Sequence, residues 1–174
     1  MNQLNKKILS QYCYKNKIAP LYIVASSQGL KSVSWQKKNI PLLTSIKKGD
    51  EVSEVISEAV QQLDEYFGGN RKNFNLKLDI EGTAFQKKVW NELKKIPYGD
   101  TCSYKDIAYH IKSPKAFRAV GTANGQNPFT IIIPCHRVIA ANGQLGGYTG
   151  GLSKKEKLLS LEESQVSKGQ RHSQ

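Results

Sequence analysis

Ile131-Ile-Ile-Pro-Cys-His-Arg-Val138 is a β-branched apolar run that stops at a proline. Such a run reads as a buried segment, and proline ends it because it donates no backbone hydrogen bond and restricts the residue before it. Cys135 is thereby placed at the lip of a core. A thiol there, followed by an imidazole and a guanidinium, has the positive charge and firm scaffold that lower a thiol pKa and make a thiolate nucleophile. The bland alternative is a structural core thiol with two ordinary neighbours, since free cysteine is among the most buried residue types. The flanking sequence weighs against it.

Upstream, Ser113 and Pro114 supply an N-cap and an N1 proline for a helix from Lys115 to about Gly125. Before it, Ser103-Tyr-Lys-Asp106 is a Ser-x-x-acid start, with Ile107, Ala108 and Ile111 as a short apolar stripe. Two short helices joined by a tight turn outline a helix-turn-helix. On the second helix, Phe117, Val120, Gly121 and Asn124 share a face expected to contact the body, while Arg118, Thr122 and Gly125 share the other, with Ala119 beside them. The outer face is therefore one arginine among small side chains. Small residues let a helix approach a surface closely; the alternative is an ordinary surface arginine. A preceding helix opens with the capping box Thr83-Ala-Phe-Gln86, carries Phe85, Val89, Leu93 and Ile96 on one face, and ends in the turn Pro97-Tyr-Gly-Asp100.

Towards the N-terminus, strand-like pieces alternate with turn signals: Tyr12 and Tyr14, then Leu21 to Ala25, then Ser-Ser-Gln-Gly, then Val33 and Trp35. A small antiparallel sheet is expected. Val52, Val55, Ile56, Ala59, Val60, Leu63 and Phe67 recur at helical spacing and stop at Gly68-Gly69, predicting a helix over one face of that sheet. Phe74, Leu76, Leu78 and Ile80 alternate with polar residues, which predicts an extended linker between two halves. Downstream, Ser153-Lys-Lys-Glu156 is a further capping box, starting a helix that Leu158, Leu159 and Leu161 can dock. Only Val166 is apolar between Ser164 and Gln174, so residues 164–174 are expected to form a disordered tail.

A chain of 174 residues can bury a substantial core without staples. Three cysteines, Cys13, Cys102 and Cys135, lack C-x-x-C spacing, which argues against a disulfide framework and a thiolate zinc site and for a reducing, intracellular setting. The N-terminus has no apolar signal-peptide core, and no stretch is long enough to span a bilayer. A formal net charge of +12 points to a polyanionic partner, nucleic acid being the commonest, or to a well-solvated lysine-rich surface.

Ile133-Pro-Cys-His-Arg-Val138, preceded by Arg118-Ala-Val-Gly121 and Asn127-Pro128 and followed by Gly147-Tyr-Thr-Gly-Gly-Leu152, closely resembles the O6-alkylguanine-DNA alkyltransferases, or methylated-DNA–protein-cysteine methyltransferases. Several spaced motifs agree in order from about Phe85 to Glu162; the N-terminal half agrees only in general build. The resemblance implies an α+β protein: a ribonuclease-H-like N-terminal sheet with a helix over 1–80, linker included, then a mainly helical DNA-binding and alkyl-acceptor domain over 81–163. Cys135 would accept the alkyl group, His136 would remove its proton through a bridging water, and Glu162 would fix the imidazole tautomer. Arg118 would wedge into the duplex from the minor groove, with Ala119, Thr122, Ala123 and Gly125 along the same DNA surface. Tyr104 would help rotate the nucleotide out and hydrogen-bond the base. Val138, Tyr148 and the Thr149 backbone N–H would contact the guanine, and Asn127 would tie the recognition helix to the strand carrying Cys135. Taken singly, each has a plainer reading as core tyrosine, turn asparagine, flexible loop or helix-end carboxylate.

Two departures from the family stand out. Thr149 stands where serine is frequent. Some members bind zinc through N-terminal cysteines and histidines, whereas this N-terminal half has Cys13 and no histidine, so no metal and no cofactor are expected. The implied activity is irreversible, single-turnover repair: duplex DNA bearing O6-alkylguanine is the partner, the lesion is flipped out, and the alkyl group ends on Cys135. The expected setting is the cytoplasm, or the nucleus of a eukaryote, for a monomer with no membrane contact; cooperativity on DNA is left open. Rival readings are a cysteine hydrolase using Cys135 and His136, and a non-catalytic protein that binds alkylated DNA.

Overall fold

The structure is a computed structural model and describes residues 9–171. These fall into two units, one ending at Asp79 and the other beginning at Ile80. In the first, β1 (Ser10–Tyr14), β2 (Leu21–Ser26) and β3 (Gly29–Ser34) form an antiparallel sheet in that order. Trp35 falls just outside it. The β2–β3 turn needs glycine twice over: Gly29 has φ 137°, and a Cβ there would lie 2.6 Å from the Lys77 carbonyl oxygen.

Helix α1 (Glu51–Phe67) starts at Asp50, whose carboxylate accepts from Ser53 N at 2.8 Å, and stops at Gly68. Its buried stripe of Ile56, Ala59, Leu63 and Tyr66 packs on the sheet, against β2 and β3. Burying each large aliphatic side chain stabilises this unit by ~1.5–3 kcal/mol. The expected linker is bound to the sheet instead. Leu78 bridges Leu30, with Leu30 N donating to Lys77 O at 2.9 Å and Asp79 N to Leu30 O at 2.8 Å. An alternating apolar segment needs a face to bury, and the open edge of β3 offers unpaired backbone groups to hold it.

The second unit begins with α2 (Ala84–Leu93), opened by the reciprocal capping box of Thr83 and Gln86. Next comes β4 (Cys102–Ser103), continuing into α3 (Tyr104–His110) through a second capping box, Ser103 with Asp106. A 3-10 turn at Pro114–Ala116 leads into α4 (Phe117–Gly125), so the helix-turn-helix is present. Ser113 precedes that turn but its side chain caps nothing, its hydroxyl donating to Ile111 O instead. The two short strands, β4 and β5 (Val138–Ile139), pair in parallel, with Cys102 opposite Val138.

Helix α5 (Leu152–Arg171) differs from expectation at both ends. Ser153 is its second residue rather than its cap; the chain enters through Gly151, at φ 90°, whose carbonyl accepts from Lys154 N and Lys155 N. The helix also runs through 164–171, where a disordered tail was expected, and Val166 reaches within 2.7 Å of where a Gly99 Cβ would sit. One apolar contact and a continuing backbone ladder suffice to extend an existing helix, because propagation costs far less than nucleation. The remaining tail residues, 172–174, lie outside the described residues. Among the described residues no helix is long and apolar enough to cross a membrane.

Candidate active site

All eight residues from Ile131 to Val138 are buried, as the opening motif implies, but they do not form a strand. Thr130 bridges Ile133 across a tight turn in which Ile131 has φ 72°. That conformation is rare for a β-branched residue and costs on the order of 1–3 kcal/mol. Asn127 offsets the strain. Its amide donates to Ile133 O at 2.8 Å and Phe129 O at 3.4 Å, and its carbonyl accepts from Phe129 N at 2.9 Å. Asn127, two residues beyond α4, thus bonds to the turn that precedes Cys135, where a bond to a strand was expected. Asn124, inside α4, adds a bond to Cys135 O at 3.4 Å.

Pro134 then turns the chain into a 3-10 turn, Cys135–Arg137. Cys135 is 5 % exposed. Burial pushes its thiol pKa up, and the Asn127 amide and the Lys155 ammonium oppose this only in part. The sequence-based expectation that adjacent charge lowers this pKa is therefore corrected: Arg137 spends its charge elsewhere, and the resting thiol is neutral. A neutral thiol needs a base.

His136 and Glu162 lie next in the site. Both are fully buried, and His136 Nε2 lies 2.8 Å from Glu162 Oε1. Glu162 also accepts from Arg137 Nε at 2.9 Å, Arg137 Nη2 at 3.0 Å and Gly99 N at 3.1 Å. Burial raises a carboxyl pKa, but the bonds and charges of His136 and Arg137 outweigh it and hold Glu162 down at about 2. An ionised Glu162 fixes the proton of His136 on Nε2 and leaves the lone pair on Nδ1, a buried atom with no hydrogen-bond partner in the structure. Burial, helped by the charges of Arg137 and Lys155, pushes the imidazole pKa down against the pull of Glu162, so the ring is neutral. Arg137 is held in turn by Ile96 O at 2.7 Å and by the Tyr98 ring, 5.5 Å from its guanidinium carbon.

The loop of residues 140–151 faces this turn. Tyr104, at the start of α3, donates to Gly147 O at 3.5 Å, and a Cβ on Gly146 would meet its hydroxyl at 3.1 Å. Burial and the nearby Cys135 push the Tyr104 pKa up, keeping the hydroxyl a donor. The Thr149 hydroxyl donates to Gly125 O at 2.6 Å, joining the loop to the last residue of α4. Val138 follows the acceptor turn directly, and Tyr148 is half-buried in the loop.

On α4, Arg118, Ala119, Thr122 and Gly125 are exposed together, as expected of a recognition surface. Two residues depart from that reading. Ala123 is 2 % exposed and its carbonyl takes the Trp90 indole N–H at 2.8 Å, which removes it from the outer face. Phe117, expected against the body, is 37 % exposed, with the Arg118 guanidinium 5.9 Å and the Lys105 ammonium 6.0 Å from its ring centre. The packed arc is rotated towards Ala123 because the α2 indole anchors there, and Phe117 at the helix start is left beyond it.

Four groups of the site escaped the sequence reading: Arg137 as the clamp of Glu162, Gly99 N, Asn124 and Lys155. The last was findable, since Lys155, Leu158 and Glu162 stand at i, i+3 and i+7 on one helix stripe.

Residues 84–164 match the DNA-binding domain of 6-O-methylguanine DNA methyltransferase, and residues 11–80 match its ribonuclease-like domain. A methylated-DNA–protein-cysteine methyltransferase of Methanosarcina acetivorans is 50 % identical over 153 residues, covering 87 % of this chain and 96 % of the relative. One from Mycobacterium leprae is 56 % identical over 110 residues, covering 63 % of this chain and 67 % of the relative. Among solved structures, the Mycobacterium tuberculosis OGT in complex with DNA superposes with a TM-score of 0.80 at 40 % identity, covering 90 % of this chain and 94 % of that one.

Proposed function

The chain belongs to the 6-O-methylguanine DNA methyltransferase family, and from that premise we propose how its own residues carry the activity. The protein repairs DNA by direct reversal, moving an alkyl group from the damaged base to a cysteine of its own. DNA is its partner. We assign the acceptor role to Cys135, O6-alkylguanine as the lesion, and the unit from Ile80 onward as the DNA-binding and acceptor domain. The protein acts as a monomer in the cytoplasm.

One observation carries the assignment: next to Cys135 stands a buried imidazole whose Nε2 is committed to Glu162 and whose Nδ1 is unpartnered. O6 of guanine is hidden by base pairing, so the nucleotide must leave the stack. An alkyl group on O6 weakens that pairing and favours extrusion of the damaged base. Arg118, exposed among small residues, fills the gap. Tyr104 and the 140–151 loop then receive the base beside Val138, with the Tyr148 ring against it and the Thr149 backbone N–H on O6.

His136 Nδ1 takes the Cys135 proton, relayed by a water. The thiolate sulfur attacks the saturated carbon on O6: a C–S bond forms, the C–O bond breaks, and its electron pair leaves with guanine. Guanine takes up a proton, the one His136 removed, while hydrogen bonds from Tyr104 and Thr149 support the departing base. The thioether product has no facile hydrolysis route, so each molecule reacts once. Incubation with duplex DNA containing O6-methylguanine, followed by intact-protein and peptide mass spectrometry, tests this. One methyl group per molecule on Cys135 is expected; many repaired bases per protein molecule, or a methyl on Cys13 or Cys102 instead, overturns it.

A further inference from the structure

Lys155 is fully buried, and each of its three ammonium hydrogens has a backbone carbonyl to meet. Nζ donates to Val138 O at 2.6 Å, to Leu145 O, and to Gly147 O at 3.4 Å. The first acceptor belongs to the strand that follows the acceptor turn; the other two belong to the loop facing Cys135. A buried lysine is costly unless its donors are all satisfied, and here they are satisfied by the two walls of one pocket.

The geometry has a direct consequence. Gly146, between the two loop acceptors, lies against Tyr104, and Gly147 O is shared between Tyr104 and Lys155. We propose that Lys155 is a positioning residue for alkyl transfer: its ammonium clamps the 145–147 backbone onto Val138 and so sets the width of the pocket in which the base meets Cys135. This rests on the base-pocket reading above.

Three carbonyls need three hydrogens, and a neutral amine has two and presents a lone pair to the third. Loss of one proton therefore loosens the clamp. Burial pulls the Lys155 pKa down to about 8, with Cys135 opposing, which brings this change within reach of experiment. The titratable and charged groups around it are Cys135, His136 and Arg137 on the acceptor turn, Tyr104 on α3, and Lys154 and Glu162 on its own helix. Arginine at this position would keep its charge at any attainable pH.

The test uses full-length protein with O6-benzylguanine as free base and with alkylated duplex, measured from about pH 6 to about pH 10. Wild type is expected to lose transfer rate above about pH 8. Lys155→Met should slow saturated transfer by about tenfold or more and weaken free-base binding, through three unmet carbonyls, while binding to undamaged duplex is retained. Lys155→Arg should recover part of the rate and lack the alkaline decline. Wild-type rates in Lys155→Met, or an alkaline decline that survives in Lys155→Arg, overturns the proposal; if the methionine variant fails to fold, the arginine profile decides. Wild type that takes no alkyl group on Cys135 sinks the pocket reading instead.

Discussion

Glu162 Oε1 stands 2.8 Å from His136 Nε2 with both side chains fully buried, 26 residues apart in the chain. The same carboxylate holds Arg137 through two further bonds. A charge-balanced pair of carboxylate and guanidinium thus orients a neutral imidazole, so the ring is set by a fixed electrostatic frame rather than by its own charge.

Glu162→Gln should slow transfer on the order of 10²-fold, from O6-benzylguanine as from DNA, because the defect lies in the nucleophile. Binding to alkylated duplex should change little. The folded carboxyl pKa is depressed to about 2 from 4.5, so its stabilisation is present above pH 4.5 and is lost as pH falls through about 2. That difference is on the order of 3 kcal/mol. Acid unfolding of wild type and Glu162→Gln checks it: the variant should lack this part of the acid transition.

The His136 pKa is pushed below its ordinary 6.5 by burial. The transfer rate should therefore stay level as pH drops through 6.5 and fall only below it. Stability should also decline below that pH, because the unfolded imidazole binds a proton that the folded one does not. Rates with the free base at fixed ionic strength read this directly; a rate that halves at pH 6.5 would mean a solvated histidine. His136→Ala should abolish the dependence with the rate itself.

Much of this was legible in the sequence because the signals were local. The boxes at Thr83–Gln86 and Ser103–Asp106 each close within one turn and appear as read. Ser153–Glu156 has the same letters, yet the loop delivers the chain to Gly151 with a positive φ, and the helix begins before the serine can cap it. Ile131 to Ile133 have strand composition but bend, because Asn127 bonds across them. Phe117 and Ala123 exchange their expected surroundings through one indole hydrogen bond from α2. Side chains that reach across elements, above all Arg137, leave no trace at short range, and Lys155 shows itself only by its helical spacing from Leu158 and Glu162.

Arg118→Ala should slow repair of alkylated duplex by about 10²-fold or more while leaving transfer from O6-benzylguanine close to wild type. A wedge acts only when a stack must be opened, and Arg118 lies on the exposed side of α4 with its guanidinium over the Phe117 ring. Equal losses on both substrates would place Arg118 in the pocket or the fold. A fluorescent base opposite the lesion gives an independent reading: its unstacking should weaken in the variant.

The Thr149 hydroxyl has a defined task. Its 2.6 Å bond to Gly125 O joins the loop of residues 140–151 to the end of α4. Serine preserves that donor, so Thr149→Ser should transfer at nearly the wild-type rate, and any gain would come from the methyl group leaving the pocket edge. Valine keeps the shape and removes the donor. A partly solvated neutral hydrogen bond contributes about 0.5–1.5 kcal/mol, so Thr149→Val should lose about two- to tenfold in transfer with either substrate, and amide exchange in the loop should quicken. If the valine variant instead matches wild type in rate and exchange, the loop is held without this bond, and the backbone N–H of Thr149 is the only part of the residue that matters.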